Sequence, residues 1–492
     1  MSDSNRTFRL VVNKTAPQRQ IANGVYLITD NGENLVERVA IALRGGVTTL
    51  QYRPKGKQPD LCRAEGTELK KLCRKFGVTY IVNDDLQLAA ELDADGVHLG
   101  QDDGTVAEAR RILGDDKIVG ISTHTLAEAL QAEEQGADYI GFGAIYPTAS
   151  KQVTQIAGTA GLQEVCNQIS IPVVAIGGIS SSNACRVIDA GADCLAVIST
   201  VFSHPRPDMA VAELKLLFNR RAPWPRGSVM TVAGSDSGGG AGIQADIKTI
   251  TLLGSYAASA LTALTAQNSC GVASLYGLPA SFVVEQIKTV LTDLPIDVIK
   301  TGMLHTPAIV SAVAEVCAEQ LKLLPLVVDP VMIAKGGAAL LERDAVAVFC
   351  DQLLPQAYLL TPNIPEAERL VGWQIKDEAE MEKAARQLYR MGAANVLVKG
   401  GHLNGQHSCD ILFDGNQCHR FSTPRIFTSN THGTGCSYAS AIAAALTQGE
   451  PLLQAVEIAK QFITSAIRNA RSLGHGHGPI NHYLAAQENR KG

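Results

Sequence analysis

The chain has 492 residues, 46% of them hydrophobic and 18% charged, with a formal net charge of −5. That length predicts two or three domains, and the acidic balance excludes a broad basic surface for nucleic acid. No stretch offers about eighteen uninterrupted apolar residues, which excludes a membrane span; eleven cysteines, with no C-x-x-C pair, argue against a disulfide framework or zinc site and for a reducing, cytoplasmic setting.

Residues 1–20 carry several cations but no signal-peptide core, and are expected to form a disordered tail. From Val25 to Thr200 short β-rich runs alternate with helical stretches: VYLIT from Val25, TTLQYR from Thr48, TYIVN from Thr79, GVHLG from Gly96, KIVGIS from Lys117, YIGFGAIY from Tyr139, PVVAIGG from Pro172 and CLAVIS from Cys194. This rhythm predicts an α/β fold, with residues 21–218 closing as a (β/α)8 barrel. The segment NRRAPWPRGS, with two prolines and three arginines, is the predicted linker, residues 219–228. Over residues 229–492 the α/β rhythm resumes with VMTVAGSD from Val229, DVIKTGM from Asp297, PLVVDPVM from Pro325, AYLLTPN from Ala357 and NVLVKGG from Asn395. Each run ends in polar or glycine residues, where open α/β sheets place ligands. The GHGHG tract at Gly474–Gly478 reads as a tight loop in preference to a metal site.

Chemistry in a barrel gathers at the carboxyl ends of its strands. There QYRPK offers Gln51, Arg53 and Lys55, two cations and an amide suited to a polyphosphate. Asp84 and Asp103 follow adjacent strands, where paired carboxylates hold magnesium against phosphates, although acidic residues in that place also cap helices. Gly177, Gly178 and Ser199 end the last two strands, where backbone N–H groups bind phosphate.

Several ordered motifs, QYRPK, IVNDD, DGVHLGQDD, GISTHT, GAIYPTASK and VAIGGI, make this half resemble thiamine phosphate synthase, over about Val25 to Val201. The resemblance implies that Gln51, Arg53, Asn83 and Lys151 contact a pyrimidine diphosphate and that Asp84 and Asp103 bind magnesium. It places Ser122 beside the pyrimidine or its leaving group. Thr148, Ser150, Gly178 and Ser199 would take a thiazole phosphate, with Ile198 among the substrate-binding residues; Ser150 stands where threonine is expected and keeps the hydroxyl. Arg53, Lys151 and Ser122 are the expected catalytic groups, stabilising charge that grows on pyrophosphate as the C–O bond breaks.

In the second half AGSDSGGGAGIQAD is a strand end, a glycine-rich loop and a helix start, but neither a Walker A loop nor a Rossmann fingerprint. With LTAQN and THGTGC it resembles the hydroxymethylpyrimidine and hydroxymethylpyrimidine phosphate kinases of the ribokinase-like group, over about Ser228 to Leu484. The resemblance implies that backbone N–H groups from Gly433 through Gly435 to Cys436 form an anion hole at a helix N-terminus. Cys436, where sugar kinases of the wider group carry an aspartate base, is expected to have a lowered pKa and to accept the hydroxyl proton as thiolate; the alternative is that it only packs and closes the turn. Gly234, Asp246, Gln267 and Met303 would hold the aminopyrimidine, Asp329 and Glu366 would arrange magnesium, and Asn363, Lys399, Thr431, Gly433 and Gly435 would serve ATP, the phosphoryl donor.

The two resemblances together imply consecutive steps of thiamine biosynthesis. The expected partners are small molecules, with neither nucleic acid nor membrane, and a homo-oligomer is compatible with the sequence. The rival readings are a pyridoxine or pyridoxal kinase fused to an unrelated phosphate-binding barrel, and a non-catalytic sensor of the pathway.

Overall fold

The computed structural model describes residues 21–148, 156–320, 322–333 and 340–489. The expectations for residues 1–20, Ser150 and Lys151 lie outside these. Within them the chain divides into two compact units, one ending at Ala222 and one beginning at Pro223; a short 3-10 turn, Phe218–Arg221, precedes the division. No helix among the described residues is long and apolar enough to cross a membrane.

In the first unit eight short strands alternate with helices: β1 (Gly24–Ile28), β2 (Thr49–Tyr52), β3 (Thr79–Asn83), β4 (Gly96–Leu99), β5 (Ile118–Thr123), β6 (Tyr139–Gly143), β7 (Val173–Ile176) and β8 (Cys194–Val197). Each pairs in parallel with the next and β8 pairs with β1, so the sheet closes into a (β/α)8 barrel. Because side chains alternate along a strand, one set points outward: Leu27, Leu50, Val82, Val97 and Ile140 are buried beneath the helices. The other set fills the barrel interior, where Tyr26, Ile28, Ile81, Tyr139 and Val174 form a separate buried cluster. The register Ile28↔Gln51↔Ile81 and Asn83↔His98↔Gly120 places Gln51, Asn83 and His98 in this interior set, toward the carboxyl ends.

The second unit is a nine-stranded sheet. Its strands are β9 (Ser228–Asp236), β10 (Tyr256–Asn268), β11 (Gly271–Gly277), β12 (Val298–Thr301), β13 (Leu326–Val328), β14 (Leu359–Leu360), β15 (Val396–Val398), β16 (His407–Phe413) and β17 (Cys418–Pro424). They lie in the order β11-β10-β9-β12-β13-β14-β15-β16-β17. The strands from β10 to β15 in this order run parallel, and the inner ones are buried almost throughout and mostly apolar, as sheets covered on both faces require. At each end the pairing is antiparallel. This is the ribokinase-like α/β architecture. The alanine-rich helix Thr434–Thr447 is buried continuously from Ser437 to Thr447, because its small side chains admit close packing on both the sheet and its neighbouring helices.

Candidate active sites

In the barrel, a cleft of about 300 Å³ opens where β2 and β3 end, lined by Arg53, Lys55, Asn83 and Asp84 among others. The backbone N–H of Arg53 donates to Thr29 Oγ1 at 2.8 Å, which anchors the segment beyond β2. Asp85, not Asp84, caps the following helix by accepting from Leu88 N at 2.9 Å, so capping does not account for Asp84. Asp84 itself adopts a left-handed backbone, φ 63°, a conformation uncommon for a residue with a side chain. Burial, reinforced by the Asp103 carboxylate, holds its pKa above the ordinary carboxylate range. Two crowded acids next to cations for an anionic ligand fit a divalent ion, and two carboxylates leave the remaining positions to water and phosphate oxygens, as magnesium prefers.

Across the barrel mouth, Gly177 and Gly178 have φ of 104° and 62°. A Cβ at Gly178 would stand 2.4 Å from Pro147 O, so only glycine lets the ends of β6 and β7 meet beside Thr148. Ile198 and Ser199 open a four-residue helix directly after β8. Ser122 and Gln51 occupy the interior between these two sides. His98 Nε2 lies 2.9 Å from Ser122 Oγ and its Nδ1 lies 3.0 Å from Tyr139 Oη. Tyr139 Oη is 2.8 Å from Tyr26 Oη, which accepts from Gln51 Nε2 at 3.1 Å.

The second unit holds a cavity of about 730 Å³ at the carboxyl ends of its parallel strands. Gly234 comes from β9, Met303 follows β12, Asp329 follows β13, Asn363 follows β14 and Lys399 follows β15, and all five line it. Gln267, Glu366, Thr431, Gly433, Gly435 and Cys436 line it too. Lys399 Nζ donates to Asp329 Oδ1 at 2.7 Å. Burial opposes the charge of Lys399, but Asp329 and Glu366 outweigh it and hold its pKa above the usual value. Asn363 and Glu366 form a reciprocal cap, with Asn363 N donating to Glu366 Oε2 at 2.8 Å and Glu366 N to Asn363 Oδ1 at 2.9 Å, a motif that contributes about 1 kcal/mol. Burial, with Asp329 adding to it and Lys399 opposing, brings Glu366 up to about 7. Asp329 and Glu366 thus make a second acid pair that fits a divalent ion, with Lys399 already offsetting part of its charge.

The helix Thr434–Thr447 brings its first turn to this cluster: a Cβ at Gly435 would lie 3.5 Å from Lys399 Nζ and 3.8 Å from Asp329 Oδ2. Gly433, the N-cap, has φ 83°, and a Cβ there would come within 1.8 Å of Gly240 O. Glycine is therefore required for both its conformation and its space. The first N–H groups of a helix have no partner inside it, and Gly435 in this turn lies beside the Lys399 ammonium and the Asp329 carboxylate.

Two expectations are corrected. The pKa of Cys436 is not lowered: burial pushes it up to about 11, and although Lys300 pulls it down, Asp246 and Asp329 push it up. Asp246 does not reach the cavity. It is fully buried; both its oxygens accept from Lys300 Nζ, at 2.9 and 2.8 Å, and they also accept from Ser440 and Thr231 hydroxyls at 2.8 and 2.6 Å. Its carboxylate satisfies a buried lysine.

Sequence reasoning passed over Tyr26, His98 and Tyr139, whose signal was their parity with Gln51 and Ser122 on the strands. It also passed over Lys300, a cation inside a buried strand, and over Asp236 and His432. Asp236 Oδ2 is 3.0 Å from His432 Nε2, and the same imidazole nitrogen is 3.2 Å from Gln267 Nε2.

Comparison with known proteins bears on both units. Residues 25–201 match the family thiamine monophosphate synthase, and residues 236–481 match the family phosphomethylpyrimidine kinase. The thiamine biosynthesis bifunctional protein ThiED of Geobacter sulfurreducens is 56% identical over 490 residues, covering 100% of each chain. The thiamine biosynthesis multifunctional protein ThiED of Corynebacterium efficiens is 35% identical, covering 94% of this chain and 65% of that protein. A hydroxymethylpyrimidine/phosphomethylpyrimidine kinase of Haemophilus influenzae is 48% identical over 52% of this chain and 96% of its own length. The chain therefore belongs to the family of bifunctional thiamine biosynthesis enzymes that join a thiamine phosphate synthase to a hydroxymethylpyrimidine/phosphomethylpyrimidine kinase.

Proposed function

We propose that the second unit transfers the γ-phosphoryl group of ATP to 4-amino-5-hydroxymethyl-2-methylpyrimidine and then to its monophosphate. The barrel joins the resulting diphosphate to 4-methyl-5-(2-hydroxyethyl)thiazole phosphate, forming thiamine phosphate and releasing pyrophosphate, in the cytoplasm. The observation that carries this reading is the first turn of the helix at Gly433–Cys436, set against Lys399, Asp329 and Glu366 in one cavity.

In the kinase reaction, N–H groups from Gly433 to Cys436 receive the phosphoryl oxygens as charge moves onto them. Lys399 and Thr431, with Asn363, orient the triphosphate, while Gly234, Gln267 and Met303 seat the ring. Cys436, a thiol at rest, closes the anion hole beside the substrate hydroxyl. In the barrel, Arg53, Asn83 and Lys151 hold the diphosphate and Ser122 donates to the departing end. Thr148, Ser150, Gly178, Ile198 and Ser199 seat the thiazole phosphate. The attacking thiazole nitrogen has a free lone pair and needs no base. Asp84 with Asp103, and Asp329 with Glu366, would hold magnesium, which when bound offsets phosphate charge.

Incubating the full chain with the hydroxymethylpyrimidine, thiazole phosphate, ATP and magnesium should yield thiamine phosphate. Phosphorylation of pyridoxal in preference to the aminopyrimidine, or no turnover of either, would overturn the reading.

A further inference from the structure

Five side chains form an unbroken hydrogen-bonded series through the barrel interior: Gln51, Tyr26, Tyr139, His98 and Ser122. Their room is made by glycines, since a Cβ at Gly120 would stand 2.0 Å from the Tyr139 ring and one at Gly141 would stand 3.0 Å from His98 Cε1. The two rings of Tyr139 and His98 stack with centroids 5.4 Å apart. Tyr26 and Tyr139 are nearly inaccessible, at 1% and 0% exposure, so neither hydroxyl has bulk water as an alternative partner.

Each phenol carries one hydrogen, and for a neutral imidazole this leaves two complete orders. In one, Gln51 Nε2 donates to Tyr26, Tyr26 to Tyr139, Tyr139 to His98 Nδ1, and His98 Nε2–H to Ser122, whose own hydrogen is then offered to the cavity. In the other every donor is reversed: Gln51 presents its carbonyl to Tyr26, and Ser122 spends its hydrogen on His98. Any mixture leaves either a buried hydroxyl hydrogen without an acceptor in the series or two hydroxyl oxygens facing each other with no hydrogen between them, which is unfavourable away from water, and bonds in series reinforce one another. With Nε2 of Gln51 turned toward Tyr26 the first order follows, and the tautomer of His98 reports that amide orientation.

We infer that Tyr26 and Tyr139 are positioning residues of the barrel reaction, tying the amide orientation of Gln51 to the hydroxyl of Ser122 so that Ser122 meets its ligand as a hydrogen donor. This rests on the proposed synthase reading. A donor held in that sense opposes an oxygen that gains negative charge as the C–O bond to the ring methylene breaks. With the series interrupted, the Ser122 hydrogen is shared between His98 and the ligand, and the stabilisation at the leaving oxygen falls.

The experiment uses the full chain labelled with ¹⁵N-histidine, with the His98 signals assigned by their loss in His98→Asn. His98 should carry its hydrogen on Nε2 in the unaltered protein; a hydrogen on Nδ1 overturns the inference. Tyr139→Phe and Tyr26→Phe should each lower kcat for thiamine phosphate formation by about 10- to 100-fold, less than the 10²–10³ of a deleted donor because the serine remains. KM for both substrates should stay within about threefold, and the kinase rate of the same preparation should be unchanged. Tyr26 shares no hydrogen bond with His98, so Tyr26→Phe should still turn the His98 signal into a mixture of tautomers. An effect confined to Tyr139→Phe, or a kcat within about twofold of the unaltered chain in both variants, overturns it. Should Tyr139→Phe not fold, the tautomer of the unaltered protein and Tyr26→Phe still decide. A chain that makes no thiamine phosphate at all refutes the synthase reading instead, with the tautomer still readable.

Discussion

His482 offers a quantitative prediction that links the stability of the second unit to its anion hole. It starts the helix His482–Asn489, is 7% exposed and lies 2.8 Å through Nε2 from the hydroxyl of Ser437, the residue after Cys436. Phe462 packs near its ring at 6.5 Å. Burial, helped by the charge of Lys248, lowers its pKa from 6.5 to about 4. The unfolded chain therefore takes up a proton on this group before the folded chain does as pH falls. Its stabilising effect is complete above the unfolded value and is lost progressively as pH drops through 6.5 toward 4. The full effect is about 3 kcal/mol, of which about 2 kcal/mol is gone by about pH 5. Both tryptophans, Trp224 and Trp373, belong to the second unit, so urea unfolding followed by tryptophan fluorescence reports on it. His482→Gln retains an acceptor for Ser437 and cannot titrate. Between about pH 7 and pH 5 the unaltered protein should lose about 2 kcal/mol more than His482→Gln, all other groups being common to both. Equal losses, within about 0.5 kcal/mol, would refute the reasoning.

Four further outcomes follow from the sites. Gly433→Ala must place a methyl against Gly240 O in a left-handed backbone, so ATP-dependent phosphorylation should fall by at least about 100-fold while the barrel still couples supplied diphosphate. Lys399→Ala strands Asp329 and Glu366 without their cation; phosphorylation should fall by about 100-fold with a raised KM for ATP, measured by initial rates. Because burial and Asp103 raise the Asp84 pKa, protons compete with magnesium there at higher pH than at an ordinary carboxylate. The magnesium concentration giving half-maximal coupling should therefore rise as pH falls, and Asp84→Asn should raise it at every pH by about tenfold or more. Cys436→Ser, which keeps the turn and a hydroxyl, should retain more kinase activity than Cys436→Ala if closing the anion hole is the main role of Cys436; equal and near-complete loss in both would point to thiolate chemistry instead.

The periodicity of apolar runs was enough to predict a barrel and the α/β rhythm of the second unit, because a strand buried on both faces is mostly apolar along its length. TYIVN is β3 residue for residue. The same rule hid the strands at and next to the edges. The run at Tyr256–Asn268 is rich in alanine, serine and threonine and half exposed, and the hairpin of β16 and β17 turns through Asp414 and Gly415, a turn signal that was passed over.

Sequence alone determined the elements that local chemistry dictates: the glycines that permit the Gly433 turn, the acids and cations that end strands, and the motifs that place the chain in its family. Only the tertiary structure decided which charges meet. Asp246 and Lys300 lie 54 residues apart and neutralise each other in the interior, withdrawing Asp246 from the cavity. Cys436 stands at a helix N-terminus, but its pKa is pushed up by what surrounds it in space, burial above all, with Lys300 opposing and two carboxylates from distant segments adding to it.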